Sequence, residues 1–341
     1  MMEELDHIQA ILAQHGYQYK KILGQGGFST VLLCHCEKYN HDFAVKRTIK
    51  NRMTEDEYNT LVSLTHPHII KLYDAFEDEN SQYLVMEYCP NGTIKEKGKL
   101  NYTQFVYYAK QLLDSLAYCH AKKIAHRDIK PANILFDQYE NTKLADFGIA
   151  KIFDINSKSD EKCGSIKFFA PEMFQSNVIC PFKADIWALG ITFFCMATGK
   201  YPFHGSTKKE IKQNILIGEL NFSKYDVDQR IRFLILRMTQ MNPQLRQSPD
   251  KLLKLSMFSS SSIDKKLHCT IDQLGRKPNQ NGPYITSYRS VSMTFENDLS
   301  SSSYEDVKKT ADFTKLHSFR SINKVLTTPR NNRHFPSAKP T

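Results

Sequence analysis

In the octapeptide His126-Arg127-Asp128-Ile129-Lys130-Pro131-Ala132-Asn133, an Asp, a Lys and an Asn fall at i, i+2 and i+5 of one short loop. Together they supply a carboxylate to receive a hydroxyl proton, a cation for a phosphate in transfer and a carbonyl oxygen for a metal ion. Eighteen residues after Asp128 comes Asp146-Phe147-Gly148, preceded by the β-like run Thr142-Lys143-Leu144-Ala145. A lone tripeptide of this kind is an ordinary turn; its distance from the octapeptide is what gives it meaning. Further upstream lies Gly24-Gln25-Gly26-Gly27-Phe28-Ser29-Thr30-Val31. Glycines let a hairpin turn bring backbone N–H groups close to phosphates, because no side chain intervenes. Lys46 ends the β-rich run Asp42-Phe43-Ala44-Val45-Lys46, fifteen residues after Val31. A Lys pointing inward among apolar neighbours is costly to bury unpaired, so it requires anions beside it.

The elements that must position these groups change character along the chain. Residues 1–16 read as a short amphipathic helix, with Leu5, Ile8, Ile11 and Leu12 at helical spacing. From Tyr17 to about Val45 the pattern is β-rich, residues 54–64 are helical, and 69–76 and 82–88 read as two more strands. After the turn cluster Pro90-Asn91-Gly92, long helical stretches dominate at about 101–122, 183–198, 208–217 and 226–240. This order implies an α+β arrangement: a small β-rich lobe (17–88), a hinge (87–92) and a larger helical lobe (93–258). Beyond Phe258 the sequence is Ser-rich with few periodic apolar positions, and 259–341 reads as a basic, mostly disordered tail.

Composition narrows the function classes. Net charge is +10, and residues 259–341 hold thirteen Lys/Arg against seven Asp/Glu, dispersed and not in a basic block. No nucleic-acid or membrane partner is therefore expected. The longest apolar run, Ile186 to Met196, is far short of the ~20 residues that cross a bilayer and reads as a buried helix. The acidic start Met1-Met2-Glu3-Glu4-Leu5-Asp6 is not a secretory signal. Eight scattered cysteines without a C-x-x-C pair read as free thiols in a reducing compartment, the cytosol or nucleus. A monomer is expected.

His126, Arg127, Asp128, Lys130 and Asn133 match the catalytic loop of the protein kinases, and the chain resembles a eukaryotic protein kinase from about Leu23 to Arg246. The set is most similar to the calcium/calmodulin-dependent group. The resemblance implies a bilobal protein-kinase fold, ATP and Mg²⁺ as cofactors, and Ser or Thr hydroxyls of protein substrates as acceptors. It assigns Asp128 to orient the hydroxyl and accept its proton, Lys130 to contact the γ-phosphate, and Asn133 with Asp146 to hold Mg²⁺. Magnesium keeps several waters, so two protein oxygens suffice. Lys46 would hold the α/β-phosphates, paired to a helix carboxylate. Glu57 is the expected partner, ten residues before Pro67, with Glu55 as the alternative because the Lys46–Glu57 separation is only eleven residues. The phosphate-binding turn comprises Gly24, Gly26 and Gly27, with Ser29 where the family has a third Gly. Leu23, Val31, Ala44 and Leu135 would sandwich adenine, the backbone of Glu87 and Cys89 would bind its edge, and Met86 would guard the rear pocket. Glu172, in Ala170-Pro171-Glu172, is expected to pair with Arg246, and Asp185 to anchor the catalytic loop. A nucleotide-binding scaffold without turnover is the alternative; loss of Lys46, Asp128 or Asp146 would favour it, and all are present.

The resemblance also bears on regulation and substrate choice. Arg127 is a residue usually neutralised by an activation-loop phosphate. Hydroxyls between Asp146 and Glu172 include Ser157, Ser159 and Ser165; Ser165 matches a Thr that contacts the catalytic Asp and Lys, and Glu161, four residues earlier, is expected to replace the phosphate by pairing with Arg127. Where kinases that select Arg upstream of the acceptor carry acids, this chain has Thr93 and Ala132, so weak Arg selection is expected. In the tail, Phe313 to Leu326 carries basic residues with apolar anchors thirteen apart, a pattern that suits a calmodulin-like regulatory partner.

Overall fold

A computed structural model describes residues 2–27, 29–50, 52–153, 159, 161, 163–176 and 178–259, with the side chains of Met2, Glu3 and 52–55 excepted. The expectations for the tail from 260 onward, for Ser157 and for the Glu55 side chain lie outside the described residues.

The first lobe is built on a five-stranded antiparallel sheet of order β1-β2-β3-β5-β4, formed by β1 (Gln18–Gln25), β2 (Ser29–Cys36), β3 (His41–Ile49), β4 (Leu72–Glu77) and β5 (Ser81–Glu87). Side chains alternate between the two faces of a strand. Leu32, Cys34 and Cys36 of β2, Phe43 and Val45 of β3 and Tyr83 and Val85 of β5 therefore share one face, with Phe76 of β4. Helix α1 (Met2–Gln14) covers that face with Ile8 and the fully buried Leu12. Glu4 binds Arg47 at 2.9 Å, the His15 ring stacks on Phe76 at 3.9 Å, and the Tyr17 hydroxyl donates to Asp74 at 3.1 Å. The intervening residues Leu84 and Met86 point to the other face, where helix α2 (Arg52–Ser63) packs with Leu61 beside Leu64, Ile69 and Ile70.

The second lobe is helical: α3 (Ile94–Lys97), α4 (Tyr102–Ala121), α5 (Glu172–Gln175), α6 (Pro181–Thr198), α7 (Lys208–Ile217), α8 (Gln229–Met238) and α9 (Pro249–Leu252). Asn101 and Gln104 close a reciprocal cap at the start of α4, Gln104 N–H donating to Asn101 Oδ1 at 2.9 Å and Asn101 N–H to Gln104 Oε1 at 3.2 Å. The apolar run 186–196 is the buried centre of α6, begun by Pro181 and ended by left-handed Gly199. Between α4 and α5 run two antiparallel pairs, β6 (Ile124–Ala125) with β9 (Lys151–Ile152) and β7 (Ile134–Phe136) with β8 (Thr142–Leu144). Their turns carry the candidate site.

Arg246 is buried and holds the base of this lobe. Its Nη1 and Nη2 meet the two Glu172 oxygens at 2.7 Å each, and its Nε donates to the Gln240 carbonyl at 2.8 Å. The fork geometry satisfies a charge that could not be buried alone. No helix among the described residues is long and apolar enough to cross a membrane. The seven cysteines among them are all free thiols.

Because α1 supplies the cover of one sheet face, Leu12→Ala should cost about 2–5 kcal/mol. Thermal unfolding should show Tm lowered by several degrees; an unchanged Tm would mean that α1 does not pack there in solution.

Candidate active site

The catalytic loop follows β6 and is held from below by Asp185 of α6. The buried Asp185 carboxylate accepts backbone N–H groups from His126 (2.8 Å) and Arg127 (2.8 Å) and bonds His120 Nε2 at 3.1 Å. Arg127 sits at φ +70°, an unfavourable conformation for a non-glycine residue that these bonds hold in place. His126 is fully buried. Its Nδ1 accepts from the Asp128 N–H at 3.3 Å, so Nε2 carries the proton and donates to the Ala145 carbonyl at 3.1 Å.

Asp128 is the focus of the loop. Its carboxylate bonds Lys130 Nζ, accepts Asn133 Nδ2 at 3.1 Å and accepts the Ser165 N–H at 2.9 Å. Lys130 also donates to Ser165 Oγ at 3.0 Å. Asn133 spends its amide nitrogen on the Asp128 carboxylate and carbonyl, which leaves its amide oxygen as an acceptor for another group. Gly164 allows this approach. It lies at φ +106°, and a Cβ there would stand 2.5 Å from the Arg127 carbonyl oxygen.

Lys46 reaches the same cleft from β3. Its Nζ lies 2.7 Å from Glu57 Oε1 of α2 and 3.0 Å from Asp146 Oδ1. Burial works against the ammonium, yet the Glu57 and Asp146 carboxylates outweigh it and raise the Lys46 pKa above its ordinary value. Burial also opposes the Asp146 charge, and the Lys46 ammonium overcomes this and lowers its pKa. Asp146, at φ +63°, is tied to the catalytic loop through its neighbour: the Ala145 N–H donates to the Asn133 carbonyl at 2.9 Å, and the Ala145 carbonyl takes His126. A Cβ on Gly148 would meet Asp146 Oδ1 at 3.3 Å and Lys46 Nζ at 3.4 Å, so glycine is the residue that leaves the ion cluster room.

The remaining candidates line the cleft between the lobes. Gly24 pairs with Val31 across the β1–β2 hairpin, and the Gly26 N–H closes the turn on the Ser29 carbonyl at 2.8 Å. A Cβ on Gly24 or Gly27 would meet nothing within 4 Å, so their backbone stands open to a ligand. Val31 opposes Lys46 across β2–β3, Ala44 opposes Met86 across β3–β5, and Leu135 opposes Lys143 across β7–β8. Leu23 is exposed at the entrance. Among the described residues nothing pairs with the backbone N–H and carbonyl of Cys89. Burial pushes the Cys89 thiol up to about 12, so it stays protonated. Sequence reasoning missed Lys143, whose Nζ lies 2.7 Å from Glu87 Oε1 and braces the hinge from β8. Alternation along β8 placed Lys143 on the face of Ala145, the one signal available.

In the activation segment, Arg127 donates to Glu161 at 2.9 Å. Lys151 of β9, also missed, bonds the other oxygen of Glu161 at 3.1 Å. Those two hydrogen bonds, from Lys151 and from Arg127, hold the Glu161 carboxyl below the usual range. Ser159 is buried; it bridges Ile179, its N–H donating to the Ile179 carbonyl at 2.9 Å, and its Oγ accepts the Glu161 N–H at 3.1 Å. Ser165 lies within the Asp128–Lys130 network, as expected from its position.

A model of the protein kinase domain matches residues 17–258. The chain belongs to the protein kinase family. It is 36% identical over 233 residues to calcium-dependent protein kinase 6 of Plasmodium berghei, covering 65% of this chain and 15% of that protein. It is 32% identical over 256 residues to CBL-interacting serine/threonine-protein kinase 15 of Arabidopsis thaliana, covering 71% and 61%. A third relative, the probable serine/threonine-protein kinase MARK-A of Dictyostelium discoideum, is 30% identical over 257 residues, covering 72% and 24%. The chain thus spans less than two thirds of the length of each of these relatives.

Replacing Asp185 by Ala leaves two buried N–H groups without acceptors, each costing about 1–3 kcal/mol. The Asp185→Ala chain should unfold at lower temperature and show faster hydrogen exchange at His126 and Arg127 than wild type. Equal protection at those amides would contradict the anchoring.

Proposed function

We propose that this chain is a serine/threonine protein kinase that transfers the γ-phosphate of ATP to protein hydroxyls. The observation that carries the reading is the convergence of Lys46, Glu57 and Asp146 in one ion cluster, tied through Ala145 to the Asp128–Lys130–Asn133 network. Lys46, oriented by Glu57, would hold the α- and β-phosphates beneath the glycine turn of Gly24, Gly26 and Gly27, which Gly24 and Gly27 leave open to a ligand and the Gly26–Ser29 bond closes. Asp128 would hold the acceptor hydroxyl and receive its proton, while Lys130 would neutralise charge on the group in transfer. The second Asp146 oxygen and the Asn133 amide oxygen are a donor set that suits Mg²⁺. Held by these two side chains, Mg²⁺ would supply neutralisation of phosphate charge. Leu23, Val31, Ala44 and Leu135 would enclose the base, with Cys89 and Glu87 backbone groups at its edge.

Glu161 would order the activation segment without a phosphate. It bridges cations from the catalytic loop and from β9, and a single carboxylate supplies less charge than the ≈ −1.5 to −2 of a phosphate. The names of the relatives support Ser/Thr specificity, as does the lysine at 130 before Pro131. No observation favours a scaffold without turnover.

With radiolabelled ATP and a generic protein acceptor, Asp128→Asn should transfer at least ~10²-fold more slowly than wild type. Equal rates would exclude Asp128 as the proton acceptor. Glu161→Ala should reduce transfer by the unphosphorylated chain by about two- to fivefold, the scale of an exposed ion-pair bridge. Because the Glu161 pKa is lowered, the bridge is present at neutral pH and is lost as pH falls through that lowered value. The gap between wild type and Glu161→Ala should therefore close on the acid side; a gap that persists there would point to packing as its source.

A further inference from the structure

The segment that begins at Ser165 leads away from the proton-accepting carboxylate toward a strongly basic edge. Ser165 binds both Asp128 and Lys130, and the chain then runs through Ile166, Lys167, Phe168 and Phe169 into α5. A peptide whose hydroxyl reaches Asp128 must lie along this platform. Its neighbouring residues advance by about 3.3–3.6 Å each, so those two to four positions away fall about 7–14 Å from the acceptor.

The buried Phe168 and the partly buried Phe169, Phe174 and Tyr201 underlie that platform. Phe168 packs edge-on to Tyr201 with centroids 5.6 Å apart, and Phe169 lies 5.7 Å from Phe174. Two lysines lie over these rings: Lys167 Nζ is 4.9 Å from the Tyr201 centroid, and Lys212 Nζ is 5.7 Å from that of Phe174. Lys200 adjoins Tyr201, and Lys208 and Lys209 stand one turn before Lys212 on α7. All five are exposed. Among the described residues, none of them forms an ion pair with a carboxylate.

The local charge is one-sided. Residues 163–216 contain six Lys, at 167, 183, 200, 208, 209 and 212, and three acids, Glu172, Asp185 and Glu210. Glu172 is committed to Arg246, and Asp185 is buried under the catalytic loop. Lys183 donates to the Arg246 carbonyl. Five exposed ammonium groups therefore face one exposed carboxylate, Glu210, which is itself bonded to the Ser206 N–H at 2.8 Å. Lysines in the first turn of α7 also oppose the helix dipole, a local cost that Glu210 and the Thr207 cap offset only in part.

Resting on the kinase reading above, we propose that this edge selects protein substrates with Asp or Glu within a few residues of the acceptor hydroxyl. Each exposed Lys–carboxylate contact is weak and salt-sensitive alone. Two or three acting together on one peptide separate acidic from neutral sequences by about tenfold. Thr93 and Ala132, where carboxylates would have received Arg, fit the same selection from the opposite side of the charge balance.

The test uses the full chain with Mg²⁺ and ADP, and short fluorescent peptides with Ala at the acceptor position. One set carries Glu at the flanking positions and its match carries Gln. Anisotropy titration at low salt should show the Glu peptide binding about tenfold tighter, with the advantage shrinking as salt rises. The advantage should be lost in Lys167→Glu and in Lys200→Glu/Lys212→Glu, whose helical circular dichroism checks folding. Equal affinity for the two peptides, including none for either, overturns the proposal. So does an advantage that both variants retain. Transfer to a generic protein, measured on the same preparation, reports separately on the kinase reading. A chain that discriminates the peptides without transferring phosphate would keep the acidic-peptide edge and lose the activity.

Discussion

A buried ammonium requires counter-charges, and in this chain a single lysine obtains them from two different parts of the fold. Lys46 belongs to the β-sheet, Glu57 to the helix packed on it, and Asp146 to the strand–turn that follows β8 of the helical lobe. If helix α2 swung away, the buried Lys46 ammonium would lose one of its two carboxylates and keep only Asp146, which is more costly than losing an exposed pair. The apolar contacts of Leu61 with the inner sheet face hold α2 against the strands, and the ion cluster gives that packing its register. The position of the cleft follows from this demand.

A second constraint sits beneath it. The catalytic loop contains a non-glycine residue with a left-handed backbone, and Asp146 is another. Such conformations persist where surrounding bonds over-determine them. Asp185 supplies these bonds for Arg127, and the Ala145 hydrogen bonds link the two segments so that they cannot relax independently. His126 owes its tautomer to this arrangement, since one ring nitrogen accepts from the loop and the other donates to the strand before Asp146. The groups assigned to phosphate, metal and proton are thus held by backbone geometry as well as by their bonds to one another.

Much of this was legible in the order of residues, and the reasons are specific. Lys46, Asp128, Asn133 and Asp146 stood out because a phosphate chemistry requires those types at close spacing or after a β-rich run. Glu57 had a rival in Glu55, because an eleven-residue separation does not say where a helix begins. Periodicity gave the helices but not their ends. The stretch expected at 226–240 forms a helix only over Gln229–Met238, since Asp228 turns its carboxylate onto the Arg230 N–H and caps the helix there. Lys151 and Lys143 were missed for a different reason. Each meets a carboxylate that lies outside its own strand pair, and alternation along a strand gives a side chain's face but not such a partner.

Helix α1 precedes the region matched by the family, yet half of the sheet depends on it. Its residues fill what would otherwise be a greasy plateau across β2, β3, β4 and β5. A fragment trimmed at the family boundary would carry that plateau into water, with Arg47 losing Glu4 in the same stroke. The kinase unit of this protein is therefore larger than its homology, and anyone preparing it by homology alone would be cutting through its fold.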